Sequence, residues 1–225
     1  MGDRTRLSGG HGQPGGEHVS RERVGVFGGT FDPIHVGHLA AVEDAADLLG
    51  LERVLFVPNR IPPHKLDRQI TAAEDRVAMV ELAIADNPLF ELSLIEIDHD
   101  DLSYTLDTMR ALAAERPESD LVFLAGSDSL RDLHTWHEPD ALLGEFSLAF
   151  MQRPGSSLPW PDLESRFPGV RERVELVSVP KLEISSEDIR ARVADGRPTR
   201  YYLVPDVERY IRTHRLYDWI AGGHP

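Results

Sequence analysis

Two histidines three residues apart, His35 and His38, close the run Gly28-Gly29-Thr30-Phe31-Asp32-Pro33-Ile34-His35-Val36-Gly37-His38. At the start of a helix, an i, i+3 pair points both imidazoles the same way. Their N–H groups can donate to phosphate oxygens and stabilise charge that grows there during phosphoryl or nucleotidyl transfer. Gly28 and Gly29 end a short apolar strand, where backbone can come close to a ligand and helix N–H groups favour an anion. The plainer alternative is a pair that caps a turn or binds an adventitious metal. For an isolated HxGH the two readings weigh about evenly, but a preceding GGTFDP and strand favour phosphate chemistry. The turn has neither the GxGxxG of dinucleotide folds nor the GK[ST] of a P-loop.

Other segments offer groups of matching chemistry. Ser185 and Ser186 in Ile184-Ser185-Ser186-Glu187-Asp188-Ile189-Arg190 present hydroxyl and backbone donors at a helix start, and Arg190 can fork onto a polyphosphate. Alone, that segment reads more simply as an N-cap followed by a surface arginine. Lys65, in a loop stiffened by Pro58, Pro62 and Pro63, could clamp a phosphate of a second substrate. His64 beside it reads as solvent-facing or auxiliary. Trp136 and His137 lie between short polar and helical pieces. The indole could stack on a ligand ring or fill the core. Thr105, in Ser103-Tyr104-Thr105-Leu106-Asp107-Thr108, offers a hydroxyl at a helix start, and Asp128 after Gly126 could bond ribose hydroxyls or cap a helix.

These groups need a frame, and the pattern of elements supplies one. Strands are predicted at 24–27, 53–57, 90–97, 120–125, 146–151 and 174–179. Helices are predicted at 37–49, 72–86, 105–115, 138–143, 187–195 and 206–213, with a capping box from Thr71 to Glu74 opening the second and similar spacing at Ser185 to Asp188. The alternation predicts an α/β fold, a Rossmann-like, doubly wound parallel sheet with helices on both faces and a small helical part at the C-terminal end. In such sheets ligands sit at the carboxyl ends of the strands. Five candidate loops follow strand ends and should converge on one crevice.

Composition narrows the partners. The chain has 225 residues, with 24 Lys plus Arg against 38 Asp plus Glu and a formal charge of −14. That balance disfavours nucleic acid and anionic membranes as partners, so any anion must be held by local cations and helix ends. With no cysteine, disulfides, thiolate catalysis and Cys-ligated zinc are excluded. No stretch reads as a bilayer span or a signal-peptide core, and a cytoplasmic location is expected. Residues 1–22 are glycine-rich and read as a disordered tail, 23–217 as one domain, and 218–225 as a frayed end.

Across residues 23–217 the ordered series resembles a known family. GGTFDPIHVGH is similar to the signature of the HxGH nucleotidyltransferases, and ISSEDIR to the ISSxxIR element of their adenylyl-transferring branch. FVPNRIPPHK, SYTLDT, the Gly126 to Trp136 stretch and Tyr202-Leu203-Val204-Pro205-Asp206 through Tyr210 resemble the bacterial nicotinate-nucleotide adenylyltransferases in order and spacing. The resemblance implies transfer of the adenylyl group of ATP to nicotinate mononucleotide, giving deamido-NAD and pyrophosphate, with Mg2+ accompanying ATP and no protein metal ligand assigned. It implies direct attack by the acceptor phosphate. By the same resemblance, His35 and His38 contact ATP phosphates, Gly28, Gly29, Thr30 and Phe31 surround the nucleotides, and Ser185, Ser186 and Arg190 hold phosphates. Lys65 contacts phosphate, Thr105, Trp136 and the His137 backbone surround the nicotinate ring, and Gly126 and Asp128 touch adenosine. His137 stands where tyrosine is frequent in relatives, and Ser127 where alanine is.

Other readings differ in acceptor or class. Nicotinamide mononucleotide differs from the nicotinate form only as amide against carboxylate. Pantetheine-phosphate adenylyltransferases are shorter, and class I aminoacyl-tRNA synthetases need a longer chain and a basic RNA surface. A non-catalytic nucleotide sensor of the same fold is disfavoured because a binding-only module could shed the histidines without penalty. The pattern leaves monomer and homo-oligomer both open.

Overall fold

A computed structural model describes residues 21–59, 70–98, 104–152, 155 and 157–218. Lys65, His64 and Ser103 lie outside the described residues, as do the two chain ends at 1–20 and 219–225.

Six strands form one sheet in the order β3-β2-β1-β4-β5-β6. They are β1 (Glu22–Gly29), β2 (Arg53–Pro58), β3 (Phe90–Leu92), β4 (Ser119–Gly126), β5 (Ser147–Gln152) and β6 (Val174–Ser178). Every pairing is parallel. The strands alternate with helices α1 (Val36–Leu49), α2 (Ala73–Ile84), α3 (Thr105–Glu115), α4 (Ser127–Arg131), α5 (Pro139–Glu145), α6 (Trp160–Arg166), α7 (Val170–Arg173), α8 (Ser186–Ala194) and α9 (Pro205–His214). The sheet is doubly wound about β1 and β4, as the alternation predicts.

Successive side chains of a strand face opposite ways, so a sheet covered on both sides reads as a continuous apolar run. Val24 and Val26 of β1, Leu55 and Val57 of β2, and Phe123 of β4 enter one core with Leu106, Met109 and Leu112 of α3. Phe27, Val54, Phe56, Val122 and Leu124 enter the other, with Val42 of α1, Met79 of α2, Ile189 of α8 and Val207 of α9. Loops at the carboxyl ends of β1 and β4 therefore lie where the winding reverses, the position at which such sheets open a crevice.

Three expectations are corrected. The strand predicted over 90–97 ends at Leu92. Beyond it the chain turns, with Ile97 N–H bonded to the Leu94 carbonyl, which carries Glu96 inward to 6% exposure. The capping box at Thr71–Glu74 does not form: Ala72 is the N-cap of α2 and no side chain caps it. Thr71 instead gives its N–H to Asp32 and its carbonyl to Arg76. Helices α6 and α7, of seven and four residues, were not predicted, and α4, of five residues, stands where a helix after Gly126 was one reading of Asp128.

Candidate active site

The histidine motif caps the helix it precedes. His35 is the N-cap of α1 in extended conformation, and its Nδ1 accepts from the His38 N–H at 3.3 Å. In return His38 Nδ1 accepts from the His35 N–H at 3.3 Å. The two rings stack with centroids 3.7 Å apart and 14° between planes. A side chain usually satisfies one orphan donor at a helix start; here two satisfy one each. Since both Nδ1 atoms accept, both neutral rings carry their proton on Nε2, the far edge of the imidazole. Capping and phosphate donation are therefore compatible, one per nitrogen. Gly37 permits the stack, because a Cβ there would stand 3.1 Å from His35 Nδ1.

Two crevices open at the carboxyl edge of the sheet, and Gly28, Gly29 and Thr30 line both. The smaller, about 250 Å³, is bounded by Phe31, Asp32, His38, Ser186 and Arg190. His38 is partly exposed to it, whereas His35 is 5% exposed and lies behind. Phe31 is a wall of this crevice and a core residue at once, with its ring 5.6 Å from Phe27 and 5.5 Å from His38.

The α8 start is latched onto the histidine loop. Ser186 Oγ donates to the Pro33 carbonyl at 2.8 Å, and Arg190 donates to the Asp32 carbonyl at 2.6 Å. Ser185 caps α8 by accepting the Asp188 N–H at 3.0 Å, as its spacing predicts, and lines neither crevice. Beneath the loop, Arg76 is 1% exposed and donates to the Thr30 carbonyl at 2.8 Å. Burial lowers the Arg76 pKa from its ordinary value, and the charge of Asp32 works against that shift. Arg190 thus lines this crevice and the buried Arg76 lies beneath it, so two cations stand near Asp32 in a chain of charge −14.

The larger crevice, about 600 Å³, is lined by Thr105, Asp128, Trp136 and His137 from the predicted set, and also by Asn59 and Glu96. Trp136 packs edge-on against Phe123 at 5.7 Å and 87°, as the core-filling reading expects, and also lines the cavity. His137 stacks loosely on Tyr104, with ring centroids 4.5 Å apart. Glu96 joins the two walls, accepting from Asn59 Nδ2 and from Thr108 Oγ1, each at 2.5 Å. Asp128 does not cap α4; its carboxylate lies 3.5 Å from Arg131 and is largely exposed. Gly126 is the α4 N-cap and lines neither crevice.

A family model described as cytidylyltransferase-like matches residues 26–192. A probable nicotinate-nucleotide adenylyltransferase of Thermomicrobium roseum is 46% identical over 90% of this chain and 95% of its own length. One from Symbiobacterium thermophilum is 48% identical over 87% of this chain and 95% of its own. This chain belongs to the nicotinate-nucleotide adenylyltransferase family. Among solved structures, the Plasmodium falciparum nicotinic acid mononucleotide adenylyltransferase complexed with NaAD superposes with a TM-score of 0.72. It is 23% identical and covers 88% of this chain and 98% of its own, so the fold is shared where sequence has diverged.

Within the nicotinate-nucleotide adenylyltransferase frame, sequence reasoning missed Asp32, Asn59, Arg76, Glu96 and Tyr217. A signal for Arg76 was present. It begins the buried stripe Arg76, Met79, Val80, Ala83 of α2, and a charge on an apolar stripe needs a buried partner. Glu96 likewise interrupts Leu94, Ile95 and Ile97. Nothing local marked Tyr217, whose partner is Asp32. Tyr217 also lies beyond the segment that the cytidylyltransferase-like model matches.

Proposed function

We propose that this chain transfers the adenylyl group of ATP to nicotinate mononucleotide, forming deamido-NAD and pyrophosphate in NAD biosynthesis. The observation that carries the reading is the meeting of two unlike crevices at Gly28–Thr30, one bearing His38 and Arg190 and the other Thr105 and Trp136. A triphosphate in the first would bring its α-phosphorus to the shared edge. A mononucleotide with its ring in the second would bring its 5′-phosphate to the same place.

One acceptor phosphate oxygen forms a bond to the α-phosphorus as the bond to the bridging oxygen breaks, and pyrophosphate leaves with that electron pair. No side chain is bonded covalently. The protein contributes positioning and charge stabilisation. His38 donates from Nε2 to phosphate oxygens, held by the cap at Nδ1. His35 supports it from behind through the stacked ring and the mutual cap. Arg190 and Ser186 hold the leaving pyrophosphate, Ser185 orders the α8 N-terminus, and Lys65 neutralises phosphate. Thr105, Trp136 and the His137 backbone receive the ring, with Gly126 and Asp128 toward adenosine. The catalytic unit is residues 23–217, acting in the cytoplasm.

The metal is read as Mg2+ carried by ATP. Among the described residues no group of three or more His, Asp or Glu could cage an ion. Such a cation would be held mainly by substrate phosphates and water. It supplies charge neutralisation on the triphosphate.

The test is pyrophosphate release from ATP and Mg2+ with nicotinate or nicotinamide mononucleotide at equal concentration. Turnover with the nicotinate form is expected. No turnover with either acceptor overturns the enzymatic reading in favour of a nucleotide sensor. A preference of tenfold or more for the amide, about 1.4 kcal/mol in transition-state binding, reverses the assignment of acceptor.

A further inference from the structure

The loop between β1 and α1 is held from below chiefly by Tyr217, Thr71 and Arg76, which line neither crevice. Tyr217, just past α9, is wholly buried, and its hydroxyl donates to Asp32 Oδ1 at 2.9 Å. The other oxygen of that carboxylate accepts the Thr71 N–H at 3.3 Å. Arg76 ties the same region together, from the Thr71 carbonyl at 3.0 Å to the Thr30 carbonyl at 2.8 Å. The Asp32 carbonyl receives Arg190, and Val36 N–H bonds the Tyr202 carbonyl at 3.1 Å. One short loop is thus fastened to the start of α2, to α8 and to the segments flanking α9.

Tyr217 also adopts φ 71°, a left-handed conformation that a bulky residue holds only when its surroundings fix it. The chain reverses there so that the phenol turns back into the protein. The hydroxyl meets Met79 Sδ at 3.9 Å on its far side. Burial and the Asp32 charge hold the phenol pKa well above its ordinary value, so the donor keeps its proton under any assay condition near neutrality.

We propose that Tyr217 is a positioning residue for adenylyl transfer: by holding the Asp32 carboxylate it keeps Thr30, Arg190 and the His35–His38 cap in register where the two crevices meet. It touches neither substrate and acts through the loop. This rests on the adenylyl-transfer reading, and the experiment separates the two.

The variant is Tyr217→Phe in the full-length chain, which keeps the ring and deletes the hydroxyl. Turnover by the unmodified protein tests the adenylyl-transfer reading alone. Against that rate the variant should lose about tenfold in kcat, with KM for ATP and nicotinate mononucleotide within about threefold. Placed in a His38→Ala background, the same change should cost less than about twofold, because residues acting through one unit are not additive. Amide hydrogen exchange gives a readout free of activity: residues 30–38 should exchange faster while β4 and β5 stay protected. Unchanged kcat overturns the proposal, as does a full tenfold loss in the His38→Ala background. Exchange that is unchanged in the loop, or raised evenly across the sheet, overturns it too. Thr30 and Arg190 would then be positioned without Tyr217, whatever reaction the site performs.

Discussion

The two crevices share three residues and differ in almost everything else. The histidine side is lined by His38, Arg190 and Asp32, with Arg76 buried beneath Thr30. The Trp136 side is lined by Glu96, Asp128 and Asp132, with no lysine or arginine among its described lining residues. The first is suited to a polyphosphate. Under the proposed reaction the second, lined by carboxylates, would take the ring of a mononucleotide and leave its phosphate at the shared edge. In the proposed reaction this difference in charge would bias which nucleotide enters on which side of Gly28–Thr30.

The sharpest way to break this contrast is at His38. His38→Ala should lower kcat by about 10³ with ATP affinity little changed, the loss typical of a donor to a developing oxyanion. It should also cost about 1 kcal/mol of stability through the lost cap. His38→Asn separates the two effects: thermal stability returns and kcat does not. Steady-state kinetics and a melting curve on both variants check this.

A smaller effect probes the other side. Trp136→Ala and Glu96→Gln should each raise KM for the mononucleotide by about tenfold and leave KM for ATP within about twofold. If either raised KM for ATP instead, the division of labour between the crevices would be reversed.

The smallest effect lies beneath the loop and appears only in alkali. The folded-state pKa of Tyr217 is raised, by burial first and then by Asp32. The stability this confers is complete below the unfolded tyrosine value of about 10 and is lost as pH rises through the folded value. Above about pH 10 the melting temperature of the unmodified protein should fall more steeply than that of Tyr217→Phe, by about 2–4 °C. Parallel curves would show that the phenol is not sealed.

The same contrast separates what is legible in the sequence from what is not. Strands were legible because both faces of the sheet are buried, and α3 was predicted with its observed ends, Thr105–Glu115. The histidine side was legible because its lining residues lie in two contiguous motifs. Its floor was not, since Tyr217 and Asp32 are 185 positions apart and a local pattern carries no record of such a pairing. Thr71 misled for a related reason. Its spacing to Glu74 fits a capping box, but the backbone there is claimed by Asp32 and Arg76. Glu96 was concealed within an apolar run that reads as strand until the turn after Leu92 is seen.

The mutual histidine cap also bears on how such motifs persist. A lineage that abandoned adenylyl transfer could not shed His35 and His38 freely, because each supplies the hydrogen bond that begins α1. Selection on folding alone would retain a capping side chain at both positions. The expectation that a binding-only descendant loses the histidines without penalty therefore fails. Such a descendant should carry asparagine, aspartate or serine there in preference to alanine, and those substitutions, not the mere survival of a polar pair, would mark the point at which chemistry was given up.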